Sequence, residues 1–204
     1  MKEIILATRN RHKIEELAAL LGDLGIRIRT LADFPAAPEV EEDGTTCEAN
    51  AIKKSTTIAR ATGVTALADD TGLEVDALGG RPGVFAARYA GEHATYEDNC
   101  RKILKELSGV PALKRTARFL TVAAIALPGG DVHVTQGILE GLITEATIGH
   151  HGFGYDPVFL VPELGRTLAE LTVEEKNRVS HRARAFVQAK EILRGIMCES
   201  IVGA

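Results

Sequence analysis

The octet TALADDTG, Thr65 to Gly72, sets two adjacent carboxylates after an apolar run and before a glycine. Carboxylates so placed can take a proton from water or hold a divalent cation. The run Val64 to Ala68 predicts a buried strand, and Gly72 predicts a turn. Asp69 and Asp70 would then end a strand, where open α/β sheets keep their ligand crevices. A solvated aspartate turn is the other reading of the octet alone. Neighbours on an extended chain point to opposite faces, so the two acids should have different jobs.

A second acidic feature, EEDG, spans Glu41 to Gly44. Glu42 or Glu41 could join Asp69 and Asp70 if folding brings the loops together. Two ionised carboxylates about 4 Å apart repel by about 4 kcal/mol at an effective dielectric of about 20. Such a cluster needs a cation or holds a proton, and hard carboxylate oxygens suit Mg²⁺. The stretch TRNRHK follows the first apolar run and holds Thr8, Arg9, Asn10, Arg11, His12 and Lys13. At a helix N-terminus it would offer free backbone N–H groups and cationic side chains to phosphate. An ordinary Asn10 cap flanked by solvated basic residues explains the same letters. The chain holds no Gly-Lys pair and no GxGxxG after its first strand, which excludes a Walker loop and a dinucleotide fingerprint.

Two later motifs could read a base. HHGFGYDP places Phe153 and Tyr155 among glycines, with Gly154 and Asp156 beside them. Glycine lets backbone approach a flat ligand and an aromatic face can stack on it, although a core aromatic fits equally. His150 and His151 have no metal-ligand spacing around them, and we reject a metal reading for them. EEKNRVSHRARA carries Lys176, His181 and Arg182, donors suited to the 6-oxo group of a purine and mismatched to adenine's amino group. A solvated helix face is the alternative, and Arg184 and Lys190 fit it.

These residues need a scaffold, and the hydrophobic pattern supplies one. EIILAT predicts a strand, and Ile14, Leu17, Ala18 and Leu21 recur at helical spacing. A short strand follows at Ile26 to Thr30. Thr45 and Glu48 predict a capping box for a helix running to about Ala61. GLEVDAL predicts a separate strand after Gly72. A helix begins near Thr95, with Cys100, Ile103, Leu104 and Leu107 on one face. RTARFLTVAAIAL and VHVTQGILEGLIT predict a strand pair joined at PGGD. Thr172 and Glu175 form a second capping box, and Phe186, Ala189, Leu193 and Ile196 stripe the last helix. Strands alternating with helices at both ends and pairing in the middle predict a mixed-sheet α/β fold without repeats.

The 204 residues fit one medium domain or a tightly joined pair of lobes. Hydrophobic residues make up 45%, enough for a sizeable core. The net charge of −4 argues against a broad basic face for duplex nucleic acid. No apolar run approaches the roughly 20 residues of a membrane helix. Met1-Lys2-Glu3-Ile4 leads straight into a strand, so no signal peptide is expected. Cys47, Cys100 and Cys198 form no CxxC pair and no zinc spacing, as expected of reduced, mostly buried thiols in a cytoplasm.

Taken together, LATRNRHKIEEL, EEDGTTCEANAIKKS, ADDTGLEVDALGGRPGVFAARYAG, GFGYDPVF and AELTVEEKNRVSHRARA resemble the blocks of the inosine triphosphate pyrophosphatase family, in order and over almost the whole chain. The resemblance implies a single domain over residues 1–204, with a long central mixed sheet flanked by helices and a cleft between two lobes. It implies a homodimer and Mg²⁺-dependent cleavage of ITP, dITP or XTP to the monophosphate and pyrophosphate. By the same resemblance, Thr8 to Lys13 would hold phosphates. Glu42 and Asp70 would hold metal, Asp70 or Asp69 would act as base with Lys54 beside them, and Thr71 would touch substrate. Phe153 to Asp156, Lys176, His181 and Arg182 would bind the base. Arg9 departs from a common family glycine, Ala49 stands where an acid is usual, and Lys54 matches the helix lysine better than Lys53. Two rivals share parts of these motifs: a related pyrophosphatase for other modified nucleotides, and a nucleotide-binding module without turnover.

Overall fold

The computed structural model describes residues 3–202, with side chains as far as 196. In chain order the main elements are β1 (Glu3–Leu6), α1 (Arg11–Leu21), β2 (Arg27–Thr30), α2 (Cys47–Thr62), β3 (Ala66–Val75), β4 (Pro82–Gly83), α3 (Tyr96–Glu106), β5 (Thr116–Ala126), β6 (Val132–Ile143), β7 (Phe159–Val161), β8 (Arg166–Thr167), α4 (Val173–Val179) and α5 (His181–Val202). The strands form one mixed sheet in the order β2-β1-β3-β5-β6-β7-β8, with β4 paired to β3. β1 runs parallel to β2 and β3, whereas β7 runs antiparallel to β6 and β8. This is the expected mixed-sheet α/β class.

Two expectations about local structure are corrected. The acids do not end a strand, and Gly72 makes no turn: β3 runs unbroken from Ala66 to Val75 and carries Asp69, Asp70 and Gly72 in its interior. Eight of its ten residues are buried, so the backbone groups of the polar stretch need sheet partners. The cap of α2 is Thr46 rather than Thr45. Its hydroxyl accepts from the Ala49 amide at 3.1 Å, which leaves Glu48 in the first turn but outside a capping box. The box at Thr172 and Glu175 forms as expected, and Thr95 with Asp98 makes another at the start of α3.

The chain divides into two compact units, and it passes between them within β3, β5 and β6 and at the first residue of α5. The first unit comprises residues 1–70, 121–137 and 182–204. Its strands alternate between two apolar clusters, as period-two geometry requires. Ile4, Leu6 and Leu67 pack with Leu17 and Leu21 of α1 and with Phe186, Ala189 and Leu193 of α5. Ile5, Ala66 and Ala68 pack on the opposite face with Ile58 and Ala59 of α2. The second unit, residues 71–120 and 138–181, has a single main core around Leu73, Ile103, Phe119, Tyr155 and Phe159. Cys47 and Cys100 are buried free thiols. The Cys198 side chain lies outside the described residues, as do Met1 and Lys2. No helix among the described residues is long and apolar enough to cross a membrane.

Candidate active site

In the first unit, the alternation of β3 decides what each acid meets. Asp69 shares the face of Leu67 and so points toward α1 and α5. Its Oδ2 lies 3.0 Å from Lys13 Nζ and 3.2 Å from Arg182 Nε, and Arg182 Nη1 donates to Glu16 Oε2 at 2.7 Å. Asp70 shares the face of Ala66 and Ala68 and points toward α2, where Asn50 Nδ2 donates to its Oδ2 at 2.9 Å. Adjacent identical residues thus have different partners.

Their acidities differ for the same reason. Burial would raise the Asp69 carboxyl, but the charges of Lys13, Arg182 and Lys54 override it and hold it well below the usual carboxylate range. Asp70 is raised by burial, with the Glu42 charge adding to that rise against the opposing pull of Lys54, Lys13 and the Asn50 hydrogen bond. Lys54 itself is buried, which would lower it. Asp69, Glu42 and Asp70 nevertheless keep it charged. Its ammonium donates to Glu42 Oε1 and to the Asp69 carbonyl, each at 2.6 Å.

The acidic loop is anchored by one side chain. Asn50 Oδ1 accepts from the Gly44 amide at 2.8 Å while its amide nitrogen holds Asp70. A Cβ on Gly44 would lie 2.6 Å from that oxygen, so the approach requires glycine. Glu42 rather than exposed Glu41 reaches the cluster. The carboxylate oxygens of Glu42 and Asp70 are hard donors of the kind a divalent cation takes. Among the described residues no three His, Cys, Asp or Glu side chains form a self-sufficient metal cage.

The loop from Thr8 to Lys13 divides by role. Asn10 caps α1, its Oδ1 accepting from the His12 and Lys13 amides. Thr8 Oγ1 accepts from the Asn10 amide at 3.2 Å. Thr8 and Arg9 line a cavity of about 170 Å³ together with Glu42 and Lys54. Lys13 reaches the acids, whereas Arg11 pairs with Glu15 on the exposed helix face and His12 is exposed. Thr71, half-buried, follows Asp70 in β3.

The second unit holds the aromatic loop. Asp156 is buried, and its Oδ2 accepts from the Phe153 amide at 2.9 Å and from Lys176 Nζ at 2.5 Å. That ammonium sits 5.0 Å from the centre of the half-buried Phe153 ring. Gly152 has φ +73°, and a Cβ there would fall 2.0 Å from Asp156 Oδ2, so a side chain would strain the backbone and displace that carboxylate. Tyr155 is a core residue: its hydroxyl donates to the Ala86 carbonyl at 2.9 Å, and burial pushes its pKa up. His181 is buried and stacks on Phe119 with ring centres 4.4 Å apart. Arg182 sets its guanidinium on Asp69 and Glu16 in the first unit. Sequence reasoning missed Asn50 and Glu16. The signal for the first was its spacing of four from Lys54 on α2, and for the second its spacing of three from Lys13 on α1.

The first unit holds acids flanked by lysines and the second an aromatic loop backed by a buried lysine, on an α/β fold. The Ham1 family model matches residues 4–192, and the chain belongs to that family, which bears out the resemblance carried by its motifs. It is 49% identical to a dITP/XTP pyrophosphatase of Geobacillus kaustophilus over 203 residues, covering all of this chain and 97% of that protein. A dITP/XTP pyrophosphatase of Geobacter sulfurreducens is 51% identical over 95% of this chain and 97% of its own. Among solved structures, a HAM1 protein from Coxiella burnetii superposes with a TM-score of 0.86 at 42% identity, covering 95% of this chain and 98% of that one. The Staphylococcus aureus Ham1 protein gives 0.84 at 39% identity, covering 95% and 99%.

Proposed function

We propose that this protein hydrolyses ITP, dITP and XTP to the nucleoside monophosphate and pyrophosphate, removing non-standard purines from the nucleotide pool. The observation that carries the reading is the division of labour along β3. Asp69 is consumed by structural cations, whereas Asp70 faces α2 with Asn50 as its hydrogen-bond partner and Lys54 and Glu42 nearby. The names of the relatives agree with it.

In this reading water attacks the α-phosphorus, Asp70 takes its proton, and pyrophosphate leaves. Lys13, Lys54 and the loop at Thr8 and Arg9 neutralise and orient the phosphates. Glu42 and Asp70 would hold Mg²⁺, which when bound supplies charge neutralisation to the phosphates. Asp69 keeps Lys13 and Arg182 in place and is not the base. By motif resemblance, the base would stack on Phe153 beside Gly154. By the same resemblance, Lys176 and His181 would meet its polar edge. Adenine would set an amino donor against these donors, at about 1–3 kcal/mol for each unpaired group. Two such mismatches give roughly a hundredfold preference or more. Motif resemblance further supports one functional domain over residues 1–204, a homodimer, and free cytoplasmic nucleotides as substrates, with no role for nucleic acid or membrane.

The test is pyrophosphate release from ITP, dITP, XTP and the four standard ribonucleoside triphosphates, with and without Mg²⁺. Mg²⁺-dependent release from the first three, at least tens of times faster than from ATP, is expected. Equal rates across the panel would overturn the substrate reading, and binding without release would leave a nucleotide-binding module.

A further inference from the structure

We propose that Tyr96 is a positioning residue for base recognition: it props the Phe153 ring and so sets the surface on which a purine stacks. The inference rests on the assignment of Phe153 to the base. Its ground is the geometry of α3 against the aromatic loop, all within the second unit.

The loop backbone is tightly held. The Phe153 amide donates to Asp156, the Gly154 carbonyl accepts from the buried Cys100 thiol at 3.3 Å, and the Tyr155 hydroxyl is tied to Ala86. These contacts fix the chain but not the orientation of the Phe153 ring. The Lys176 ammonium lies 5.0 Å from the ring's centre. The Tyr96 ring lies 5.8 Å from it and is tilted by 47°, an offset arrangement that aromatic pairs favour.

Tyr96 is itself fixed in place. It is the first residue of α3, behind a capping box in which the Thr95 amide donates to Asp98 Oδ2 at 3.0 Å and the Asp98 amide donates to Thr95 Oγ1 at 3.1 Å. One turn later, Cys100 holds the Gly154 carbonyl, so the same helix touches the loop at two points. Tyr96 nevertheless remains 41% exposed. An aromatic that contributes little to the core, yet contacts the aromatic proposed to stack on a base, fits a role at the ligand. Stacking reads the flat face and not the hydrogen-bonding edge, so this contact should aid every purine equally.

The experiment compares Tyr96→Ala and Tyr96→Phe in full-length protein. We expect Tyr96→Ala to raise KM for ITP roughly three- to tenfold, the worth of one aromatic contact, with kcat within about twofold of the original. Tyr96→Phe should restore KM, and the ITP-to-ATP preference should not change in either variant. Binding of inorganic tripolyphosphate, which has no base, should be unaffected.

A second readout is independent of turnover. The chain has three tyrosines and no tryptophan, and among them Tyr155 is buried, Tyr89 half-buried and Tyr96 exposed. Inosine should quench the part of tyrosine emission that Tyr96→Phe removes. An unchanged KM in Tyr96→Ala, a loss confined to kcat, or quenching that persists fully in Tyr96→Phe would each overturn the role of Tyr96. Failure of the unmodified protein to release pyrophosphate from ITP would instead refute the proposed function.

Discussion

Asp69→Asn should cost this protein stability, and the size follows from the buried cluster. The Asp69 side chain is fully buried, with Lys13 Nζ at 3.0 Å and Arg182 Nε at 3.2 Å. Arg182 is 2% exposed and shares its remaining charge with Glu16. As folded, Asp69 and Glu16 balance Lys13 and Arg182. The amide removes one anion, leaving a net positive charge largely out of water. Breaking a buried pair in this way costs about 3–5 kcal/mol. In a chain of this size each kcal/mol is worth roughly 2–4 °C, so melting should fall by about 6–20 °C. The assay is calorimetric melting in EDTA from pH 8 to pH 3. Because the folded carboxyl is held below its unfolded value, its stabilisation is fully present above about pH 4. It is lost as pH falls through the folded pKa. The gap between the two proteins should therefore stay constant from pH 8 to about pH 5 and shrink below about pH 4. A variant within about 1 kcal/mol of the original at pH 7 would refute the argument.

Asp70→Asn should abolish pyrophosphate release while melting no lower than the original protein, because ionising the raised Asp70 carboxyl costs folding free energy at neutral pH; wild-type turnover in the purified variant would remove Asp70 from the mechanism. Lys13→Ala should weaken ITP binding in calorimetric titration at least tenfold and inosine binding little, whereas equal losses would place Lys13 away from the phosphates. Gly152→Ala should destabilise by about 1–3 kcal/mol in urea unfolding and weaken inosine binding, since its Cβ would collide with Asp156 Oδ2 from a left-handed backbone. A neutral result would show that the Asp156–Lys176 anchor can shift without consequence.

Much of this architecture was legible because its signals are local. The apolar stripe on α5, the Thr172 box and the Asn10 cap depend on spacings within a turn or two, and all three form. The octet around Asp69 misled for a physical reason. Acids and glycine usually mark a turn because buried carboxylates are costly, yet here the cost is offset by Lys13, Lys54 and Arg182, which come from remote parts of the chain. Nothing local reports that compensation, so the strand appeared to stop where it continues. The ion pairs of Arg182 show the same limit: no local spacing announces that it meets Asp69 and Glu16, which lie more than a hundred residues away in sequence. The opposite-face argument survived intact, because the alternation of an extended chain holds whether the acids end a strand or lie inside one.

In the proposed reaction water attacks the α-phosphorus of a non-standard purine triphosphate. Hydrolysis of ITP in ¹⁸O-enriched water, with the products separated and weighed by mass spectrometry, reports which phosphorus is attacked. The label should enter IMP and leave the pyrophosphate unlabelled. Label in pyrophosphate, or release of labelled orthophosphate with IDP, would contradict it.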